Sequence, residues 1–260
     1  MKRVLSYYSE DGHTVEYLAD HINDCITLVG NLKDCRLGRL GVSLNKNFVD
    51  EVRLAMVFHD LGKAFYQNNP SSFSGHEIFS TYILQKFRTP FIENRLQQIA
   101  DYNLLEPALF SVAFHHHPMD IRKRLEKIRR IRISPSSLEA LQNELSFVKE
   151  DALTKEEKAL LNSILSELKS KIEKSPLIVD DVVREFQDEV RHKLFDHIIS
   201  SKDEDIVAKR SYYLTLVSLV CVDYISACKR RGKETRFGEV MEEFYKLYFS
   251  AVKGANGTIT

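Results

Sequence analysis

Three apolar stripes with α-helical spacing end in histidine, and this pattern constrains the fold more than any other feature. Val52, Ala55, Met56 and His59 fall at i, i+3, i+4 and i+7 within "NFVDEVRLAMVFHDLGKAF". His76, Phe79, Ser80 and Ile83 share one face of "GHEIFSTYILQKF", which is expected to stop before Pro90. Leu109, Val112, Ala113 and His116 share a face of "EPALFSVAFHHHP", with His115 beside them. A stripe residue faces the core, so each helix carries an imidazole inward. Asp60 follows His59 directly, about 100° round the helix, and Gly62 is expected to end that helix. One such histidine is ordinarily a core residue with a satisfied hydrogen bond. Three in one chain point to a shared site.

Helix breakers are few, 10 glycines and 6 prolines in 260 residues, which favours long helices throughout. A further helix is expected over "TVEYLADHINDCITLV", after an Asp11-Gly12 turn, with Val15, Leu18, Ala19 and Ile22 on one face. No βαβ alternation or convincing strand appears. The expected class is all-α, a single domain over 1–260. Residues 120–175 are dense in charge and poor in aromatics. Within them "SSLEALQNELSFVKE" and "TKEEKALLNSILSELKSKIEK" read as a helical hairpin inserted in the main domain.

Asp223 lies in "LTLVSLVCVDYISA", a helix apolar nearly all round, on a face with Leu216, Leu219, Val220 and Ala227. A buried carboxylate is costly unless it is paired with a cationic side chain or binds a metal. Histidines and aspartates converging in a helical core suit divalent transition metals, or two metals sharing a carboxylate. Four cysteines, Cys25, Cys35, Cys221 and Cys228, form no CxxC pair and read as reduced thiols of a cytoplasmic protein. The N-terminus lacks the apolar stretch of a secretory signal, and the longest apolar run, "LVSLVCV", is short for a membrane span.

These motifs, in this order, resemble the HD superfamily of metal-dependent phosphohydrolases. More narrowly they resemble the stand-alone, helicase-free HD nuclease of type I CRISPR systems. The matching residues are His13 in "DGHTVEYLA", His59-Asp60 with Lys63 in "HDLGKAFYQ", His76-Glu77 and Ser80 in "HEIFS", His115-His116 in "FHHHPM", and Asp223 in "VDYIS". The resemblance covers most of the chain. It implies an HD-domain helical bundle that hydrolyses phosphodiester bonds, preferring single-stranded DNA, in antiviral defence. It also implies two divalent ions (Mg, Mn, Ni, Co or Fe). Asp60 would bridge them, with His13, His59 and Asp223 completing one position and His76, His115 and His116 the other. Lys63 would neutralise a phosphate oxygen or orient the nucleophile. His21 is a rival to His13, and His117 to His115, while His192 and His197 read as non-ligands.

The lysines and arginines equal the aspartates and glutamates at 37 each, so net charge decides nothing about a polyanionic partner. Local charge is more informative. "MDIRKRLEKIRRIRI" follows the histidine triplet and concentrates basic residues, with Arg122, Arg124 and Arg129 as candidates to hold a strand through its phosphates. "ACKRRGKETR" is a second basic run after Asp223. No nucleotide-binding GxxxxGK[ST] motif is present. By resemblance the chain would act beside a separate helicase and an RNA-guided surveillance complex, with no membrane involved. Two alternatives remain: an HD phosphohydrolase of nucleotides or cyclic nucleotides, and a non-catalytic, metal-stabilised subunit.

Overall fold

The structure is a computed structural model that describes residues 3–9, 15–67, 73–95, 105–116, 121–129, 131–175, 179–188, 190, 198, 206–231 and 236–249. It is almost wholly helical. Two short strands, β1 (Leu5–Tyr8) and β2 (Val15–Tyr17), pair antiparallel at the N-terminus. Then come α1 (Leu18–Val29), a 3₁₀ turn (Gly30–Asp34), α2 (Arg36–Leu44) and α3 (Phe48–Phe58). A second 3₁₀ segment (Leu61–Tyr66) leads to α4 (His76–Arg95), α5 (Glu106–Phe114) and α6 (Ile121–Ile128). The chain continues with α7 (Pro135–Leu145), α8 (Lys155–Lys174), α9 (Val179–Phe186), α10 (Ile206–Arg231) and α11 (Arg236–Tyr248).

The helix α10 runs through the centre and packs against α1, α2, α3, α5 and α11. By length and composition alone it could cross a membrane, which the short run "LVSLVCV" did not suggest. Here it is a core helix: Ser211, Thr215, Ser218 and Ser226 are buried with it. The Thr215 and Ser218 hydroxyls donate to the Ser211 and Leu214 carbonyls at 2.9 and 2.7 Å. Of the cysteines, Cys25, Cys35 and Cys221 are buried and Cys228 half-buried, with no disulfide.

Three helix boundaries differ from expectation. Val15–Tyr17 is strand, not the first turn of α1, because β1 offers its backbone as a partner and the Leu18 N–H caps onto the Val4 carbonyl at 2.8 Å. The helix α3 ends at Phe58, four residues before Gly62. Gly62 instead lets the 3₁₀ segment touch α4: a Cβ there would lie 2.1 Å from the His76 carbonyl oxygen. Its N–H donates to Ser80 Oγ at 2.8 Å. The helix α4 continues through Pro90 to Arg95, although proline deletes a helical N–H. Phe91 is buried on Phe87, with ring centroids 5.0 Å apart, and that packing favours continuation.

The helices α7 and α8 are joined across residues 146–154 and pack against each other. Thr154 and Glu157 form a reciprocal capping box at the start of α8. Buried carboxylates tie the pair to the core. Glu157 receives two guanidinium bonds from Arg53 of α3, each 2.8 Å. Glu144 accepts from Arg3 and from the Val4 and Ala19 N–H groups at 3.0 Å each. A third buried carboxylate, Glu51 of α3, accepts from the Leu105 and Ala108 N–H groups at 2.7 and 3.1 Å. It thereby caps α5 at the end opposite its histidines, beside Leu105 in the left-handed region (φ 69°). Burial pushes the Glu51 carboxyl up to about 8, against those two bonds.

Candidate metal centre

Backbone carbonyls beside the helix ends orient the site histidines. His59, capping α3, has Nδ1 2.7 Å from the Met56 carbonyl, and His115, capping α5, has Nδ1 2.8 Å from that of Val112. At the start of α4, His76 Nδ1 lies 2.6 Å from the Phe73 carbonyl. A carbonyl can only accept, so each Nδ1 carries the proton and each Nε2 presents a lone pair. All three Nε2 atoms are buried without a hydrogen bond. His21 of α1 is held differently: its Nδ1 is 3.2 Å from Glu16 Oε1, and its Nε2 is 3.0 Å from Asp223 Oδ1.

Two groups of donors result, with ligand atoms within 4.8 Å of one another in each: His21, His59 and Asp223, and His76, His115 and His116. Asp60 lies between them. Its Oδ1 is 2.8 Å from His76 Nε2, while its Oδ2 is 3.5 Å from His59 Nε2 and 3.7 Å from His21 Nε2. Despite that contact, His76 Nε2 has no hydrogen-bond partner. Each buried polar atom without a partner costs about 1–3 kcal/mol. Cations lodged between these lone pairs and carboxylates would remove that cost, so the donor set fits divalent metals.

The electrostatics agree. Burial lowers His115 to about 4, with His59 and His76 adding to the effect. Burial first, then His115 and His76, hold His116 well below the ordinary histidine range. Both are therefore neutral, the form that binds metal. Burial opposes ionisation of Asp60, yet His59, Lys63 and His76 hold its carboxyl well below the usual range. Asp223 is lowered likewise, against burial, by His21 and His59. Burial also opposes the charged form of His21, but Cys25, Asp223 and Glu16 raise it well above the ordinary value. Lys63 Nζ sits 2.5 Å from Asp60 Oδ2 and 3.3 Å from Ser6 Oγ.

The structure therefore gathers His59, Asp60, Lys63, His76, His115, His116 and Asp223 around one centre. His13 and His117 lie outside the described residues, as do His192 and His197. The group around His59 and Asp223 is completed by His21, the rival position. Asp223 meets histidines rather than an arginine or lysine, and its side chain is 25% exposed where full burial was expected. It stands at the rim of the site with half-buried His116.

Arg124 is placed otherwise than expected. Its side chain is only 9% exposed, and its guanidinium forms a two-point pair with Glu77, Nε to Oε1 and Nη2 to Oε2, so it anchors α6 to α4. Arg129 is exposed, 3.5 Å from Asp180, and the Arg122 side chain lies outside the description. Sequence reasoning missed Ser6 and Glu16 altogether. For His21 a signal existed: Leu18, His21, Ile22 and Cys25 fall at i, i+3, i+4 and i+7, and all are buried.

A helical bundle that aims histidines and an adjacent His-Asp pair into one centre defines a class, and the chain belongs to it: the HD-domain family, whose model matches residues 35–210. The chain is also 27% identical over 241 residues to the CRISPR-associated endonuclease Cas3-HD of Methanocaldococcus jannaschii, covering 86% of this chain and 91% of that one. No solved structure matches.

Proposed function

We propose that this protein is a divalent-metal-dependent nuclease that hydrolyses phosphodiester bonds of single-stranded DNA in CRISPR antiviral defence. One observation carries the chemistry: three buried Nε2 lone pairs and two carboxylates converge, and the two oxygens of Asp60 face different donor groups. His21, His59 and Asp223 would hold one ion, and His76, His115 and His116 the other, with Asp60 shared. Such ions supply a nucleophile at neutral pH and stabilise charge on the phosphoryl oxygens. Among the protein's own groups, Lys63 keeps Asp60 ionised and oriented. The substrate enters at the rim marked by Asp223 and His116.

The likeness to an endonuclease of known CRISPR association supports the choice of a nucleic acid over a small nucleotide. So do the exposed Lys123 and Lys127 of α6 and Arg129 just after its end. With Arg122 they would hold the strand by its phosphates. A separate helicase and an RNA-guided complex would present the single strand. The test incubates purified protein with labelled single-stranded DNA, duplex DNA and RNA, with Mg, Mn, Ni, Co or Fe and with EDTA. Metal-dependent cleavage of single-stranded DNA is expected. Cleavage of duplex DNA or RNA alone would overturn the substrate, and no hydrolysis under any metal would overturn the enzyme.

A further inference from the structure

The N-terminal hairpin buries polar side chains that its size does not explain. A two-stranded ribbon is marginal by itself and gains most by burying apolar groups. Here Tyr8 and Val15 are 42% exposed, whereas Ser6 and Glu16 are each 1% exposed. The pairing register accounts for this. Leu5 stands opposite Tyr17 and Tyr7 opposite Glu16, so β1 holds one extra residue, Ser6, which is a bulge. Bulges re-aim side chains. This one directs Ser6 Oγ at the site, where it donates to Asp60 Oδ2 and accepts from Lys63 Nζ, both at 3.3 Å.

The opposite strand contributes Glu16, whose Oε1 accepts the His21 Nδ1 proton at 3.2 Å. A third contact fixes the hairpin. The Gln67 side-chain amide pairs with the Leu5 backbone like a short strand, accepting from its N–H at 2.8 Å and donating to its carbonyl at 3.2 Å. The same amide donates to the Lys63 carbonyl at 2.8 Å. The residue after the 3₁₀ segment thus clamps β1 at the position next to the bulge.

We propose that the hairpin is the outer shell of the metal centre. Glu16 aligns His21 for one ion, and Ser6, seated by Gln67, holds the shared Asp60 with Lys63. All three are positioning residues that act through a ligand. The inference rests on the reading of the site as a two-metal centre. Outer-shell partners of this kind fix ring orientation and raise ligand basicity, and losing one costs about 10–100-fold in metal affinity.

The test is a titration of the metal-free full chain with Co²⁺ alone, followed by visible absorption and by equilibrium dialysis. The unaltered protein should bind two equivalents. Glu16→Ala should weaken one of them about 10–100-fold and leave the other unchanged. Ser6→Ala and Gln67→Ala should each weaken both, because Asp60 faces both donor groups. Circular dichroism checks folding. If Glu16→Ala does not fold, Glu16→Gln, which keeps an acceptor for Nδ1–H, should show a smaller loss confined to the same equivalent. Equal loss of both ions in the Glu16 variants overturns its assignment to His21. Unaltered cobalt affinity in all the variants overturns the proposal whatever happens to activity. An unaltered chain that takes up no cobalt overturns the two-metal reading itself.

Discussion

Arg124 offers the sharpest contrast between two roles, strand holder or internal anchor. Its side chain is 9% exposed and that of its partner Glu77 is 2% exposed. Glu77 is lowered despite burial by its bonds to Arg124, with His76 adding to the effect. Replacing Arg124 by Ala would leave this carboxylate buried without its guanidinium. Breaking a buried pair from one side costs about 3–5 kcal/mol. At about 2–4 °C per kcal/mol, the melting temperature should fall by roughly 6–20 °C. Replacing both partners by apolar residues, Glu77→Leu with Arg124→Met, should recover much of the loss. Arg129→Ala is the comparison. That side chain is 66% exposed, so its pair with Asp180 contributes at most about 1 kcal/mol. If Arg129 meets a phosphate, its loss should flatten the salt dependence of single-strand binding by about 0.7. Urea and thermal unfolding with salt-dependent binding separate the cases. An Arg124→Ala protein of unaltered stability and flattened salt slope would refute the anchor role.

Asp60→Ala should abolish activity and release both metals, whereas Lys63→Ala, which removes only a group that holds Asp60, should lower turnover and weaken both metals about 10–100-fold; metal analysis of the purified variants compares the two, and equal metal loss would undo the distinction. Glu51→Ala orphans two buried N–H groups, those of Leu105 and Ala108, and should destabilise the fold by about 2–6 kcal/mol in urea unfolding. In EDTA, stability should peak near pH 6.5. His115 falls from 6.5 to about 4 on folding and His116 is lowered further, so below 6.5 the unfolded chain binds more protons at both; Glu51 offsets only one of the two above 4.5, and stability drops with acid. His21 is raised, so its contribution is full below 6.5 and is lost as pH climbs through its folded value, with Glu51 at about 8 acting in the same sense. Urea unfolding from pH 4.5 to 8.5 checks this, and a steady rise to pH 8.5 would contradict it.

Periodicity is local, and what depends on it could be read from the sequence. The stripes ending at His59, His76 and His116 specify helices that turn imidazoles inward, and the scarcity of glycine and proline specifies an all-α bundle. Asp223 declared itself as a carboxylate amid apolar residues. Even Gly62 was visible, although its purpose was not: it ends no helix, but admits the His76 carbonyl at a distance no Cβ allows. Pairings between distant segments left no such mark. His21 meets Asp223 across 202 positions, and Arg124 meets Glu77 across 47. A basic residue in a charged run looks the same whether it faces solvent or a buried carboxylate. The bulge at Ser6 depends on how β1 registers against β2 and on the Gln67 clamp, which no helical or alternating pattern encodes. The helix faces thus set which side chains point inward, while the long-range packing of α1, α4, α6 and α10 decided which of them meet, because those contact energies exist only once the segments are brought together.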